Sequence, residues 1–81
     1  MLTSVSKPDE LGVLVRDTRL IQGLTQKELA GLLPGFDKET IASLESGEST
    51  VELGKVLAVL NALGLNIAIA YDGAFANGAK Q

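Results

Sequence analysis

"GLTQKELAGLLPGFDKETIASLESG" (residues 23–47) carries two short amphipathic segments at helical spacing. A tight Pro34-Gly35 turn joins them, and Gly23 and Gly47 bracket the unit. Such a unit is either a packing corner or a device that pushes one helix into a DNA groove. Charge sharpens the choice. Lys27 and Lys38 stand against Glu28, Asp37, Glu39 and Glu45, an excess of acid in an element that a polyanion would have to approach.

Inside this stretch, Thr25 and Glu28 form a Thr-x-x-Glu capping box at the start of helix two, "LTQKELAGLL". Leu29, Leu32 and Leu33 are its expected buried stripe, and Pro34-Gly35 ends it. Helix three, "DKETIASLESG", has Asp37 as N-cap, Ile41 and Leu44 facing inward, and Gly47 as its stop.

Working outward, "SVSKPDELGVLVRDTRLIQG" predicts helix one. Ser6 is the expected cap, Pro8 suits the first turn, and Asp9 and Glu10 complement the positive end of the helix dipole. Leu11, Leu14, Val15, Thr18 and Ile21 fall on one stripe at helical spacing. Gly23 is the left-handed stop, with Leu24 folding back on the last turn. On the other side, Ser49-x-x-Glu52 predicts a second capping box. It opens helix four, which runs through Val56, Leu57, Leu60 and Leu63 to Gly64.

After Gly64 the period changes. In "LNIAIAYD" Leu65, Ile67, Ile69 and Tyr71 point one way and Asn66, Ala68, Ala70 and Asp72 the other, which predicts a strand. It is the only strand signal in the chain, and a lone strand leaves its ladder groups unpaired. The simplest repair is a second copy across a two-fold axis, giving an antiparallel ribbon with the Leu65–Tyr71 face in the dimer core. The tail "GAFANGAKQ" is small and Gly/Ala-rich and is expected to be mobile, with Phe75 its one sticky residue. The expected organisation is a flexible segment 1–8, a helical domain 9–64, a dimerisation strand 65–72 and a tail 73–81.

Bulk properties narrow the function classes. A chain of 81 residues buries only about 60% of its unfolded surface, so a lone core is marginal and oligomerisation is the natural staple. With neither Cys nor His, disulfides, thiolate or imidazole metal sites and the usual general base are excluded. No carboxylate pair and no glycine-rich loop after a strand offers an enzyme or nucleotide site; no cofactor is expected. The N-terminus "MLTSVSKPDE" lacks a basic-then-apolar run, and no apolar stretch approaches ~18 residues, so a cytoplasmic protein without membrane association is expected. A net charge of −3 disfavours strong non-specific nucleic-acid binding while leaving room for a local basic face.

"LTQKELAGLL…ETIASLESG" resembles the helix-turn-helix of Xre/Cro-type repressors: Thr-Gln opening helix two, Leu-Ala within it, Thr-Ile in helix three and Glu-x-Gly at its end. The resemblance spans roughly residues 9–64. It implies a mainly α, four-to-five-helix lambda-repressor-like domain. With one C-terminal strand added, the architecture resembles HipB-type antitoxins, whose paired strands cap a dimer and whose partner is a HipA-type kinase toxin. This chain departs from the pattern by one extra residue in the turn, most simply Pro34, and by Asp37-Lys38-Glu39 ahead of the helix-three Thr.

In that family's docking mode helix three lies in the major groove and helix two abuts the backbone. Carried over by position, Lys38, Glu39, Thr40 and Ser43 face the groove, while Gln26, Lys27 and the first turn of helix two meet a phosphate. Glu39 fits as an acceptor for cytosine N4. Glu28 and Asp37 are taken up in capping. Glu45 matches a family Glu that pairs internally with an Arg on helix one, here Arg19; Arg16 and Lys55 read as solvated charges. The implied function is a dimeric operator-binding repressor that neutralises a kinase toxin and autoregulates its operon. A stand-alone Xre-type regulator and an interaction module without DNA affinity are the alternatives.

Overall fold

The computed structural model describes residues 2–71; Met1, Asp72 and the tail 73–81 with Phe75 lie outside the described residues. Four helices are present among them: α1 (Pro8–Ile21), α2 (Gln26–Gly31), α3 (Lys38–Glu45) and α4 (Leu53–Ala62). One apolar core joins them. Val15 of α1, Leu29 of α2, Ile41 of α3 and Val59 of α4 are fully buried at its centre, with Leu44, Leu60 and Leu63 around them. Both α1 and α2 pack on α3, so the helix at the middle of the fold is also the one whose N-terminal face is left outside.

Local chemistry explains where the helices stop. After α1, the Gly23 N–H donates to the Leu20 carbonyl (3.0 Å) and the Leu24 N–H to the Arg19 carbonyl (3.1 Å). This is the paired C-terminal turn that needs a left-handed residue, and Gly23 supplies it with φ +76°. Gly47 and Gly64 end α3 and α4 by the same two bonds. At the start of α2, the Glu28 N–H donates to Thr25 Oγ1 (3.0 Å) and the Thr25 N–H to Glu28 Oε1 (2.9 Å), a complete capping box.

Four expectations are corrected. Ser6 is not the cap of α1; Lys7 holds that position. Pro8 forces the residue before it into extended backbone and starts the helix itself. Glu10 then reaches back, its Oε1 accepting from the Ser6 N–H (2.8 Å), Ser6 Oγ (3.1 Å) and the Lys7 N–H (3.2 Å). Ser49 does not open α4 either. Glu52 occupies the N-cap position without a side-chain cap bond, and residues 48–51 form a turn in which Glu48 Oε1 accepts from Thr50 Oγ1 (3.0 Å). Ile21 and Leu32, placed on the apolar stripes of their helices, are exposed. The inward positions belong instead to Gly12 and Arg19 on α1, Ala30 on α2 and Val59 on α4.

The C-terminal segment differs as well. No strand is present among the described residues. The Leu65 N–H donates to the Leu60 carbonyl (2.8 Å) and its side chain packs on the core of its own chain. Beyond it, Ile67, Ile69 and Tyr71 are exposed. Their alternation survives as a sequence pattern, but a ladder needs a second strand, and none lies among the described residues.

Candidate nucleic-acid interface

The exposed start of α3 is built by Asp37. Its Oδ1 accepts from the Thr40 N–H (2.9 Å) and from Thr40 Oγ1 (2.8 Å), closing the first turn. The Thr40 hydroxyl and N–H, aided by the positive charge of Lys55, hold the Asp37 carboxyl below its usual range. A depressed folded-state pKa means the cap stabilises the fold above the unfolded value, near pH 4, and is lost as pH falls through the lower folded value. Asn caps equally well without titrating. Asp37→Asn is therefore expected to keep most of the neutral-pH stability that Asp37→Ala loses, and to flatten the decline below about pH 4. Thermal melts across pH 2–7 decide the point. Parallel acid profiles for the parent and Asp37→Asn would show that this carboxyl does not report folding.

Behind that turn lies an ion pair. Arg19 Nε donates to Glu45 Oε2 (2.6 Å) and a second guanidinium nitrogen to Glu45 Oε1 (3.0 Å), while a third donates to the Leu24 carbonyl (2.7 Å). The side chains are 9% and 5% exposed. Donating to the Glu45 carboxylate raises the Arg19 pKa still further, and no buried polar side-chain atom is left unpaired among the described residues. Gln26 joins the network, its Nε2 donating to Glu45 Oε1 (3.1 Å). One carboxylate thus connects the ends of α1 and α3 with the first residue of α2.

The residues singled out from sequence fall into three places. Gln26, Lys27 and Lys38 line one open cleft of about 720 Å³, together with Arg19 and Leu20 at the end of α1 and Gly23, Leu24 and Thr25 of the turn into α2. Thr40 and Ser43 line a second groove of about 300 Å³ with Thr50, Val51, Glu52 and Lys55. Glu39 borders neither; it stands exposed on the outer side of α3.

Some contributors escaped the sequence reading. Lys55 lies 5.9 Å from the Phe36 ring centroid and on the rim of the second groove, so it is more than a solvated charge. Gln22 clamps α1 to α4, its Nε2 donating to the Leu63 carbonyl (2.7 Å). Gly12 lies against α3: a Cβ there would meet the Glu45 carbonyl oxygen at 2.5 Å and that of Leu44 at 2.6 Å. The only sequence signal for Gly12 was its cost, a glycine inside a helix that propensity alone disfavours.

Comparison with known proteins agrees with this geometry. Residues 10–68 match the family model described as a helix-turn-helix domain. A curated relative from Sinorhizobium fredii (strain NBRC 101917 / NGR234), "Uncharacterized HTH-type transcriptional regulator y4mF", is 42% identical over 73 residues, covering 90% of this chain and 95% of that protein. Among solved structures, a chain of the HipA-HipB-O2-O3 complex superposes with a TM-score of 0.79 at 24% identity, covering 86% of this chain and 97% of that one. A chain of the HipB-O4 20mer complex gives a TM-score of 0.78 at the same identity and coverage. At that identity the structural likeness establishes the fold. The sequence matches go further: this chain belongs to the helix-turn-helix family of transcriptional regulators.

Proposed function

We propose that the chain is a dimeric, sequence-specific repressor that sets α3 in the major groove of its operator and also serves as antitoxin to a HipA-like kinase toxin. The observation that carries the DNA part is the arrangement of α2 and α3. Lys27 and Lys38 share the rim of one cleft, and Thr40 and Ser43 open onto an adjacent groove beside Lys55. Acids that would repel a duplex are occupied elsewhere: Glu28 and Asp37 in caps, Glu45 in the buried pair. Of these, Glu45 has its charge matched by Arg19, while the capping bonds turn Glu28 and Asp37 back onto their own helices. Dimerisation is supported by the exposed, alternating Ile67, Ile69 and Tyr71, which a second copy would cover together with the edge of Leu65. The antitoxin role rests on the HipB-like fold and on the complex with HipA in which that fold occurs.

The test is titration of the full chain against the DNA upstream of its own gene and against scrambled DNA, at two salt concentrations, with the number of chains bound per site read by sedimentation. Two chains per site and a clear preference for the upstream duplex are expected. Lys38→Ala and Ser43→Ala should each lose about 1–3 kcal/mol of binding and relax preference at particular positions. Lys27→Ala, at an exposed position on the same cleft, should weaken all duplexes about equally, because phosphate contacts carry no direct sequence information. Equal, barely detectable affinity for both duplexes at low salt would sink the repressor and favour an interaction module. Strong operator binding with no capture of a kinase encoded beside it would leave a stand-alone regulator.

A further inference from the structure

Glu39 is the one acid of the helix-turn-helix with no structural employment. It is exposed, two residues before the buried Ile41, and Ser43 follows it one turn later on the same outward side of α3. The ion pairs among the described residues are Arg16–Asp17 and Arg19–Glu45, so none includes Glu39. Its neighbour Thr40 is also committed. Asp37 is held ionised and is therefore acceptor-only, so in their 2.8 Å contact the Thr40 hydroxyl must donate. What Thr40 can still offer outward is an oxygen lone pair. The outer side of the first turn of α3 thus carries acceptors at Glu39 and Thr40, next to the donor Lys38.

We infer that Glu39 is a specificity-determining residue that reads the N4 amino group of a cytosine in each half-site. This rests on the DNA-reading role proposed above. A carboxylate brought into a major groove lined with phosphates is repelled unless it meets an N–H donor. Only cytosine N4 and adenine N6 supply one on base edges there. Adenine sets its N7 acceptor beside N6, which repels a carboxylate and suits an amide instead; guanine and thymine offer acceptors alone. Cytosine is the one base whose exposed groove edge is donor without an adjoining acceptor. Its guanine partner presents O6 and N7 in the same groove, the pair of atoms that a lysine such as Lys38 recognises.

The experiment selects bound sequences from a pool of randomised 20-bp duplexes, using the full chain and its Glu39→Gln variant. Glu39 is exposed, so the variant keeps its fold, which a thermal melt confirms. The parent should enrich cytosine at one position per half-site, and Glu39→Gln should shift that position toward adenine, whose N6 and N7 fit an amide. Replacing the selected cytosine by thymine should weaken the parent roughly 5- to 150-fold, the range of one base contact. The same change should matter far less to the variant. If both chains select the same sequence, or if Glu39→Gln binds every duplex more tightly by one common factor, the carboxylate only repels and the inference is overturned. Enrichment of no duplex by either chain would overturn the DNA-reading role itself, a different and recognisable outcome.

Discussion

Glu45→Ala is expected to lower the stability of the fold by about 3–5 kcal/mol, the usual cost of removing one partner from a buried ion pair. The loss has several parts. Arg19 forfeits its contacts at 2.6 and 3.0 Å yet stays walled in, holding only the Leu24 carbonyl. Its charge then has no countercharge in a site where both side chains were less than one-tenth exposed. Gln26 loses its acceptor as well, so the start of α2 is released together with the ends of α1 and α3. A domain of this size has a total stability on the order of 4–12 kcal/mol, so the loss takes a large share of it and the unfolding midpoint should fall strongly. Urea denaturation checks this. Removing both charges at once, as Arg19→Met with Glu45→Leu, should cost much less than Glu45→Ala, because an apolar pair of similar volume leaves no buried charge behind. A shift within about 0.5 kcal/mol for Glu45→Ala, the ordinary surface range, would mean that the pair contributes nothing to the fold.

Helix ends were legible in the sequence where one residue alone can satisfy the backbone. Gly23, Gly47 and Gly64 all sit at positive φ, a conformation that penalises every side chain, so the glycine announces the stop. Thr25 and Glu28 were legible for a similar reason: two side chains and two N–H groups close on each other within four residues. Ser49 and Glu52 show an equivalent pattern, Ser-x-x-Glu for Thr-x-x-Glu, with a different outcome. Glu48 offers Thr50 a competing local bond, and the helix begins only at Leu53. Burial was read less well, because periodicity names a face and tertiary packing chooses its centre. On α1 the centre is Gly12, Val15 and Arg19, which turns Ile21 outward to 85% exposure. An arginine at the middle of a buried face is invisible to any hydrophobic pattern, since it is inside only because Glu45 is there. The candidate interface divides in the same way. Residue types at the start of α3 were readable from the family resemblance, but the tie from Gln26 to Glu45 and the place of Lys55 beside Phe36 depend on distances between helices.

Gly12→Ala sets two opposed effects against each other, and the structure decides between them. Helix propensity alone says the change should stabilise α1 by about 1 kcal/mol, since glycine inside a helix sacrifices backbone entropy. The space at this position says the reverse. The new Cβ would lie 2.5 Å from the Glu45 carbonyl oxygen, 2.6 Å from that of Leu44 and 2.9 Å from the Glu45 carbonyl carbon. All three atoms are backbone, so no side chain can rotate away; the helices themselves must part. Inserting one carbon into a packed site ordinarily costs 1–3 kcal/mol. Here the displaced residue is Glu45, whose two short bonds to Arg19 tolerate little movement. Gly12→Ala is therefore expected to destabilise by roughly 3 kcal/mol, net of the propensity gain. It should also weaken DNA binding, because α3 is the element pushed. Gly31→Ala is the control: nothing lies within 4 Å of a Cβ built at the end of α2, so propensity should act alone and leave stability unchanged or raised by up to about 1 kcal/mol. Chemical denaturation of both variants measures the difference. If Gly12→Ala proved as stable as the parent, α1 and α3 would have to lie farther apart than these contacts allow.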